Sequence, residues 1–119
     1  GTEALPELQG VRASRLHAIK MDIGTRLSSH RLTLESLARV QNVSPRYICK
    51  LFAEDGTTYS QYVLQRRLDR ALKMLMDPAS NVKRISEIAL ECGFGDLSHF
   101  NRSFRRRFGM TPSEARNER

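Results

Sequence analysis

Apolar residues in this sequence recur every three or four positions along nearly the whole chain, which is the spacing of one face of an α-helix. The series Leu16, Ile19, Ile23 and Leu27 is a clear case. No stretch alternates apolar and polar residues as a half-buried strand does, and aromatic residues make up only 7% of the chain. The pattern therefore predicts an all-α fold.

Residues with strong capping preferences divide this pattern into separate helices. Ser44 followed by Pro45 is typical of a helix start, because a proline at the first helical position loses no hydrogen bond. Thr58 and Gln61 resemble a capping box at the start of the longest segment. That segment predicts a long linking helix over about 58–76.

The chain contains an internal repeat in which a short helix, a tight turn and a second helix lead into a Gly-x-Thr-x-Ser segment. The turn of the second copy is one residue longer. Two helices joined by a tight turn form a helix-turn-helix, which we predict at about 33–53 and again at about 84–107. The matched pairs are Leu34 and Ile85, Leu37 and Ile88, Ala38 and Ala89, Ile48 and Phe100, Phe52 and Phe104, Gly56 and Gly109, Thr58 and Thr111, and Ser60 and Ser113.

The charge of the chain is strongly basic. Lys and Arg number 20 against 13 Asp and Glu, which gives a net charge of +7 and a pI near 10.1. The excess is concentrated in a stretch near the C-terminus that has no acidic residue, and its arginines are Arg102, Arg105, Arg106 and Arg107. Such a stripe indicates an anionic polymer as partner, and composition alone leaves a solvated helix face as an equal alternative.

The second helix of a helix-turn-helix lies in the major groove of DNA and reads base edges with its outward positions. We therefore expect two groups of DNA-contacting residues, turned away from the apolar face of each second helix. The first group is Arg46, Tyr47, Cys49 and Lys50, and the second is Ser98, His99, Asn101, Arg102, Arg105 and Arg106.

Individual side chains in these groups suit different parts of DNA. Arg102 fits a bidentate contact with guanine, Asn101 a contact with adenine, and Lys50 either guanine or phosphate. The arginines at 105–107 lie further from the helix start and are expected to hold phosphates, which gives affinity without sequence discrimination. For His99, packing beside the turn is as good an interpretation as a DNA contact.

The length of the linking helix suits a monomer that reads two places on one duplex. About 19 residues at 1.5 Å each span roughly 28 Å, against roughly 34 Å between successive major-groove faces on one side of B-DNA. Because the two second helices differ in sequence, the predicted site is asymmetric.

A dense set of motif residues carries a family resemblance. In the second copy these are Ile85, Ser86, Glu87, Ile88, Ala89, Gly93, Phe94, Asp96, Ser98, Phe100, Arg102, Phe104, Phe108, Gly109, Thr111, Pro112 and Arg116; in the first they are Leu34, Glu35, Ser36, Leu37, Ala38, Val43, Ser44, Leu51, Phe52 and Tyr62. Together they resemble the DNA-binding domain of AraC/XylS-type bacterial transcriptional regulators. The resemblance covers about 12–116, and residues 1–11, which lack a clear apolar period, are interpreted as a tail or linker.

The resemblance implies a domain of about seven helices that binds double-stranded promoter DNA and activates transcription through RNA polymerase. It also implies that an effector ligand would act only through an N-terminal domain. This sequence shows nothing of such a domain, so the chain is expected to be part of a longer regulator. Two departures stand out. The stretch 52–56 is one residue shorter than is common, which affects where the linking helix starts and so the relative tilt of the two units. Cys49 stands where a larger polar side chain is usual, so we expect less direct readout from the first unit.

Other function classes find little support in the sequence. His17, His30 and His99 are dispersed, and no Cys/His or carboxylate cluster has metal-ligand spacing, so we predict no enzyme, no metal and no cofactor. Cys49 and Cys92 are interpreted as reduced thiols of a cytoplasmic protein, with Cys92 in the core, and a redox role for Cys49 is the less favoured alternative. No apolar run is long enough to span a bilayer, so no membrane association is expected.

Two alternatives to specific DNA binding remain open at this point. One is a helical interaction module whose arginines dock on an acidic protein surface, and the other is non-specific nucleic-acid binding driven by charge alone. The phenylalanines at 94, 100, 104 and 108 suggest a base-stacking platform, but their helical spacing favours the core.

Overall fold

The computed structural model describes residues 9–118, and in this range the chain forms seven α-helices, one short 3-10 turn and no strand. This confirms the all-α prediction. The helices are α1 (Gln9–Thr25), α2 (Leu34–Gln41), α3 (Pro45–Glu54), α4 (Tyr59–Met76), α5 (Ile85–Glu91), α6 (Leu97–Phe108) and α7 (Pro112–Asn117), with the 3-10 turn at Pro78–Ser80.

Helix α1 begins earlier than the sequence pattern indicates. It starts at Gln9, so residues 9–11 of the predicted tail or linker are helical, while residues 1–8 lie outside the described residues. The reason is physical: Val11 is 41% exposed, and a helical turn that buries nothing leaves no apolar period to detect.

The helix starts follow the capping residues seen in the sequence. Ser44 accepts a hydrogen bond from the backbone N–H of Tyr47 at 3.0 Å, and Thr58 accepts one from the N–H of Gln61 at 3.1 Å. Asp96 accepts one from the N–H of Ser98 at 2.9 Å. These bonds satisfy N–H groups that have no partner within their own helix.

The described chain divides into two units. The first contains the described residues up to Arg26 together with Arg31–Tyr62, and in it α1, α2 and α3 pack on one another. Its buried apolar side chains are Ile19, Ile23, Leu32, Leu37, Ala38, Ile48, Leu51 and Phe52.

The second unit contains Leu27–His30 and the described residues from Val63 onward. Its core is a cluster formed by Leu68, Ala71, Leu75, Ile88, Ala89, Cys92, Phe94, Phe100, Phe104 and Ala115. Aromatic rings are in direct contact within it: the centroids of Phe94 and Phe100 lie 4.9 Å apart, and those of Phe100 and Phe104 lie 5.6 Å apart. The phenylalanines therefore build the core, as their spacing predicts, and they do not form an exposed platform.

Helix α4 is continuous over 18 residues, a length of about 27 Å at 1.5 Å per residue. Its first turn, Tyr59–Tyr62, belongs to the first unit and the remainder to the second. The predicted linking helix is thus one uninterrupted helix.

Candidate nucleic-acid interface

The turns that join α2 to α3 and α5 to α6 have the same backbone construction. Asn42 (φ 56°) and Gly93 (φ 100°) are both left-handed. The next N–H in each turn, from Val43 or Phe94, donates to the carbonyl oxygen of the alanine five residues earlier, at 3.0 Å in both cases. This pattern is the Schellman motif, which ends one helix and redirects the chain into the next. The internal repeat is therefore a pair of helix-turn-helix units.

In the first unit, α3 places the predicted contact residues away from the core. Ile48, Leu51 and Phe52 are buried, whereas the remaining face of α3 faces solvent. The predicted contact residues that are exposed there are Arg46, Cys49 and Lys50.

Tyr47 differs from its predicted neighbours because it is half-buried. The guanidinium of Arg15, on α1, lies 5.7 Å from the centroid of the Tyr47 ring, within cation–π range. Sequence reasoning missed Arg15 as a neighbour of α3, since no local pattern links positions on two different helices.

In the second unit, α6 buries Phe100, Ser103 and Phe104 and exposes the opposite face. All six predicted contact residues of this helix are exposed: Ser98, His99, Asn101, Arg102, Arg105 and Arg106. The spacing of three and four residues puts Ser98, Asn101, Arg102 and Arg105 on one side of the helix. The structure thus brings together polar side chains that suit base edges and cations that suit phosphates.

His99 lies at the margin of this exposed face. Its ring centroid is 5.9 Å from that of Phe94, the residue that follows the left-handed turn residue. His99 therefore packs beside the turn while it stays exposed, so both roles considered for it remain compatible with its position.

Arg107, which the sequence predicts as a phosphate ligand, contacts groups of the protein itself. Its Nε donates to Oδ1 of Asp69 at 3.0 Å and its Nη2 donates to Oδ2 at 3.3 Å, and its guanidinium also lies 5.5 Å from the ring centroid of Phe108. A carboxylate on α4 thus engages this arginine within the second unit. No local sequence pattern indicates this pair, because Asp69 is 38 residues away in the chain.

The two cysteines occupy opposite environments. Cys49 is exposed on the outer face of α3, and Cys92 is fully buried at the end of α5. Burial raises the pKa of the Cys92 thiol to about 11, because the core disfavours the thiolate. Cys92 is a core residue, as predicted.

Within residues 9–118, no group of His, Cys, Asp or Glu side chains is arranged to hold a metal ion. The helices of that range also include none with the length and apolar character that crossing a bilayer requires.

Comparison with known proteins defines the class of this chain. Residues 37–118 match a family described as a helix-turn-helix domain. A crystal structure of a transcriptional regulator from Chromobacterium violaceum, described as AraC-type DNA-binding domain-containing, superposes with a TM-score of 0.82 at 30% identity, covering 92% of this chain and 96% of that one. The C-terminal domain of AraT, a response regulator from Geobacillus stearothermophilus, gives a TM-score of 0.78 at 28% identity, covering 88% of this chain and 85% of that one.

Curated relatives agree with this class. The transcriptional activator RhrA of Rhizobium meliloti (strain 1021) is 42% identical over 103 residues, which is 87% of this chain and 32% of RhrA. The XylDLEGF operon transcriptional activator of Pseudomonas putida is 40% identical over 84 residues, which is 70% of this chain and 26% of that activator. The chain belongs to the AraC/XylS family of helix-turn-helix DNA-binding domains, a family of transcriptional regulators and not of enzymes. It spans about a third or less of the length of these two relatives.

Proposed function

We propose that this chain is the DNA-binding domain of a bacterial transcriptional activator and that it reads an asymmetric promoter site with α3 and α6 in the major groove. The outer face of α6 carries the proposal. Asn101, Arg102, Arg105 and Arg106 are exposed there, opposite the buried Phe100 and Phe104. The core fixes the inner face of this helix, and the outer face carries Asn and Arg. Such a helix is suited to read base edges in the major groove.

Within the proposed interface, different side chains of α6 contact bases and phosphates. Arg102 reads guanine and Asn101 reads adenine, because each can make two parallel hydrogen bonds to that base edge. Arg105 and Arg106 hold phosphates and fix the register. Ser98 and His99 lie at the start of the helix, where they contact the flanking backbone or base.

Helix α3 contributes less sequence discrimination in this proposal. Lys50 contacts guanine or phosphate, Arg46 and Tyr47 border the groove, and Cys49 makes only van der Waals contact, since a thiol is a weak hydrogen-bond partner. The first helix-turn-helix then supplies position and affinity, and the second supplies most of the base readout.

The proposed site has two different boxes on one duplex. The 18 residues of α4 give a length of about 27 Å, which is comparable with the roughly 34 Å from one major-groove face to the next on the same side of B-DNA. The two second helices differ in sequence, so a single chain needs no palindrome.

The remaining proposals concern the longer regulator. We place the DNA-binding domain at 12–116. The regulator activates transcription through RNA polymerase in the cytoplasm, and it senses an effector with a part that lies outside this chain. Two curated relatives named as activators, each about three or more times as long as the segment matched here, support this arrangement.

Selection from a randomised duplex library at about 0.15 M salt tests the proposal, since protein–DNA affinity depends steeply on ionic strength. The expected result is enrichment of an asymmetric sequence with two boxes about one helical turn apart. Retention of duplexes without any enriched sequence, together with loss of binding as salt rises, would instead show binding by charge alone. Failure to retain duplexes, with capture of an acidic protein, would favour an interaction module.

A further inference from the structure

The two helix-turn-helix turns differ at one equivalent position. Asn42 and Gly93 have the same place in the Schellman motif and both have positive φ. Asparagine tolerates this conformation better than most residues that carry a Cβ, and the first turn is built with it. The backbone at position 93 is more extreme, with φ 100° against 56° at Asn42, so it favours glycine by itself.

The surroundings of Gly93 add a second reason for glycine. A Cβ placed on it would collide with the carbonyl oxygen of Leu27 and would lie 2.6 Å from Nε of Arg67. The first of these atoms is backbone and cannot swing away. Glycine at this position lets the turn approach Leu27 and Arg67 directly.

Arg67 joins these parts of the second unit. From α4, its Nε donates to the carbonyl oxygen of Leu27 at 2.9 Å, and its Nη2 lies 3.5 Å from the carbonyl oxygen of Ser29. Leu27 is only 3% exposed, so the Arg67 bond satisfies a carbonyl group of a buried residue. Loss of such a bond is costly because a partly buried acceptor loses its partner.

The next residue links the turn to α6. Phe94 follows Gly93 directly, is 6% exposed, and packs on Phe100 and His99 of α6. A displacement of Gly93 therefore shifts Phe94 and, through Phe100, the start of the helix that carries Asn101. Close-packed cores transmit such shifts, since there is little free volume to absorb them.

We propose that Arg67 is a positioning residue for DNA recognition: with the Leu27–His30 segment, it clamps the turn at Gly93 and so fixes the angle at which α6 presents Asn101 and Arg102. This inference rests on the proposed function of α6. It assigns Arg67 no contact with DNA, and it makes a segment between α1 and α2 part of the second reading unit.

Four variants of the full chain test the clamp. Gly93→Asn adds the Cβ that the clamp excludes, and Asn42→Gly is its reciprocal control at the equivalent turn. Arg67→Ala removes both donors, whereas Arg67→Lys keeps a cation that can reach one carbonyl but lacks the planar fork. Library selection gives the base preference of each variant at each box, and circular dichroism with thermal unfolding shows that it is folded at the temperature of selection.

We call the box that α6 reads the second box. It is identified independently as the box whose base preference changes in Arg102→Ala. We expect Arg67→Ala to lose on the order of tenfold in preference at that box, because an unclamped turn lets α6 shift and its base contacts lose their alignment, while the first box keeps its preference. Arg67→Lys is expected to recover part of the loss. Gly93→Asn, selected at a temperature where it is folded, should behave like Arg67→Ala, and Asn42→Gly should resemble the unmodified chain.

Unchanged preference at the second box in folded Arg67→Ala would overturn the clamp. Equal loss at both boxes would also overturn it, since that is the mark of a general structural role. If Arg102→Ala changes neither box, the proposed reading by α6 is wrong, and this outcome is distinct from failure of the clamp.

Discussion

At the scale of single residues, the two cysteines show how position on a helix decides chemical behaviour. Cys49 is exposed and Cys92 is completely buried, with its Sγ 3.6 Å from Sδ of Met74. Thiols react as thiolates, so burial and a raised pKa both protect Cys92.

We expect a thiol reagent such as iodoacetamide to label only one cysteine per folded chain and both after denaturation. Cys49→Ser should abolish labelling of the folded chain and leave Cys92 reactive only on unfolding. Rapid labelling of Cys92 in a folded Cys49→Ser chain would contradict the packing of the second unit.

The raised pKa of Cys92 also predicts how stability changes at alkaline pH. The folded pKa of about 11 lies above the ordinary value of 9.0. The unfolded chain therefore loses this proton first, and the contribution to stability is complete below about pH 9 and falls as pH rises toward 11.

Denaturant unfolding between pH 8 and pH 11 measures this loss. Cys92→Ala, compared with the unmodified chain, should show a shallower decline in the free energy of unfolding, although its stability at pH 8 is lower because a cavity remains. Identical slopes for the two chains would show that the thiol does not titrate with unfolding.

At the scale of helices, Arg106 and Arg107 are neighbours with different expected roles. Arg107 pairs with Asp69 on α4, whereas Arg106 is exposed on α6. We expect Arg107→Ala to lower the free energy of unfolding by roughly 0.2–1 kcal/mol, the range for exposed ion pairs, and to change the salt dependence of DNA binding little.

Arg106→Ala is the matched control and should show the reverse pattern. It should leave stability nearly unchanged and reduce the slope of affinity against salt by about one phosphate contact. Thermal unfolding and DNA titrations at several salt concentrations separate the two. A loss of salt slope in Arg107→Ala as large as that in Arg106→Ala would show that Arg107 holds a phosphate as well.

The helices and their buried faces were predictable because local chemistry determines them. Capping by Ser44 and Thr58, and burial of Phe100 and Phe104, follow from residue type and spacing. The exposed first turns of α1 lack such a signal. The Arg107–Asp69 pair and the Arg67 clamp could not be predicted either, since they join residues 38 and 40 positions apart.

At the scale of the whole molecule, the repeat is one structural motif present twice with different side chains. The turns keep the same hydrogen bonds, yet Asn42 stands in one and Gly93 in the other. The outward faces differ more: α3 carries Cys49 where α6 carries Asn101 at a comparable place. This difference is the physical basis for expecting an asymmetric DNA site in which the second unit supplies most of the discrimination.

The central claim is that α6 reads bases. The most direct test measures affinity for two duplexes of equal length, the selected sequence and a scrambled one. The proteins compared are the unmodified chain, Arg102→Ala and Arg106→Ala. Arg102→Ala should lose roughly 1–3 kcal/mol on the selected duplex and relax one base position, with a smaller loss on the scrambled one. Arg106→Ala should weaken both duplexes alike. Equal losses on both duplexes for Arg102→Ala as well would show that α6 contributes only charge, and specific reading by this helix would be wrong.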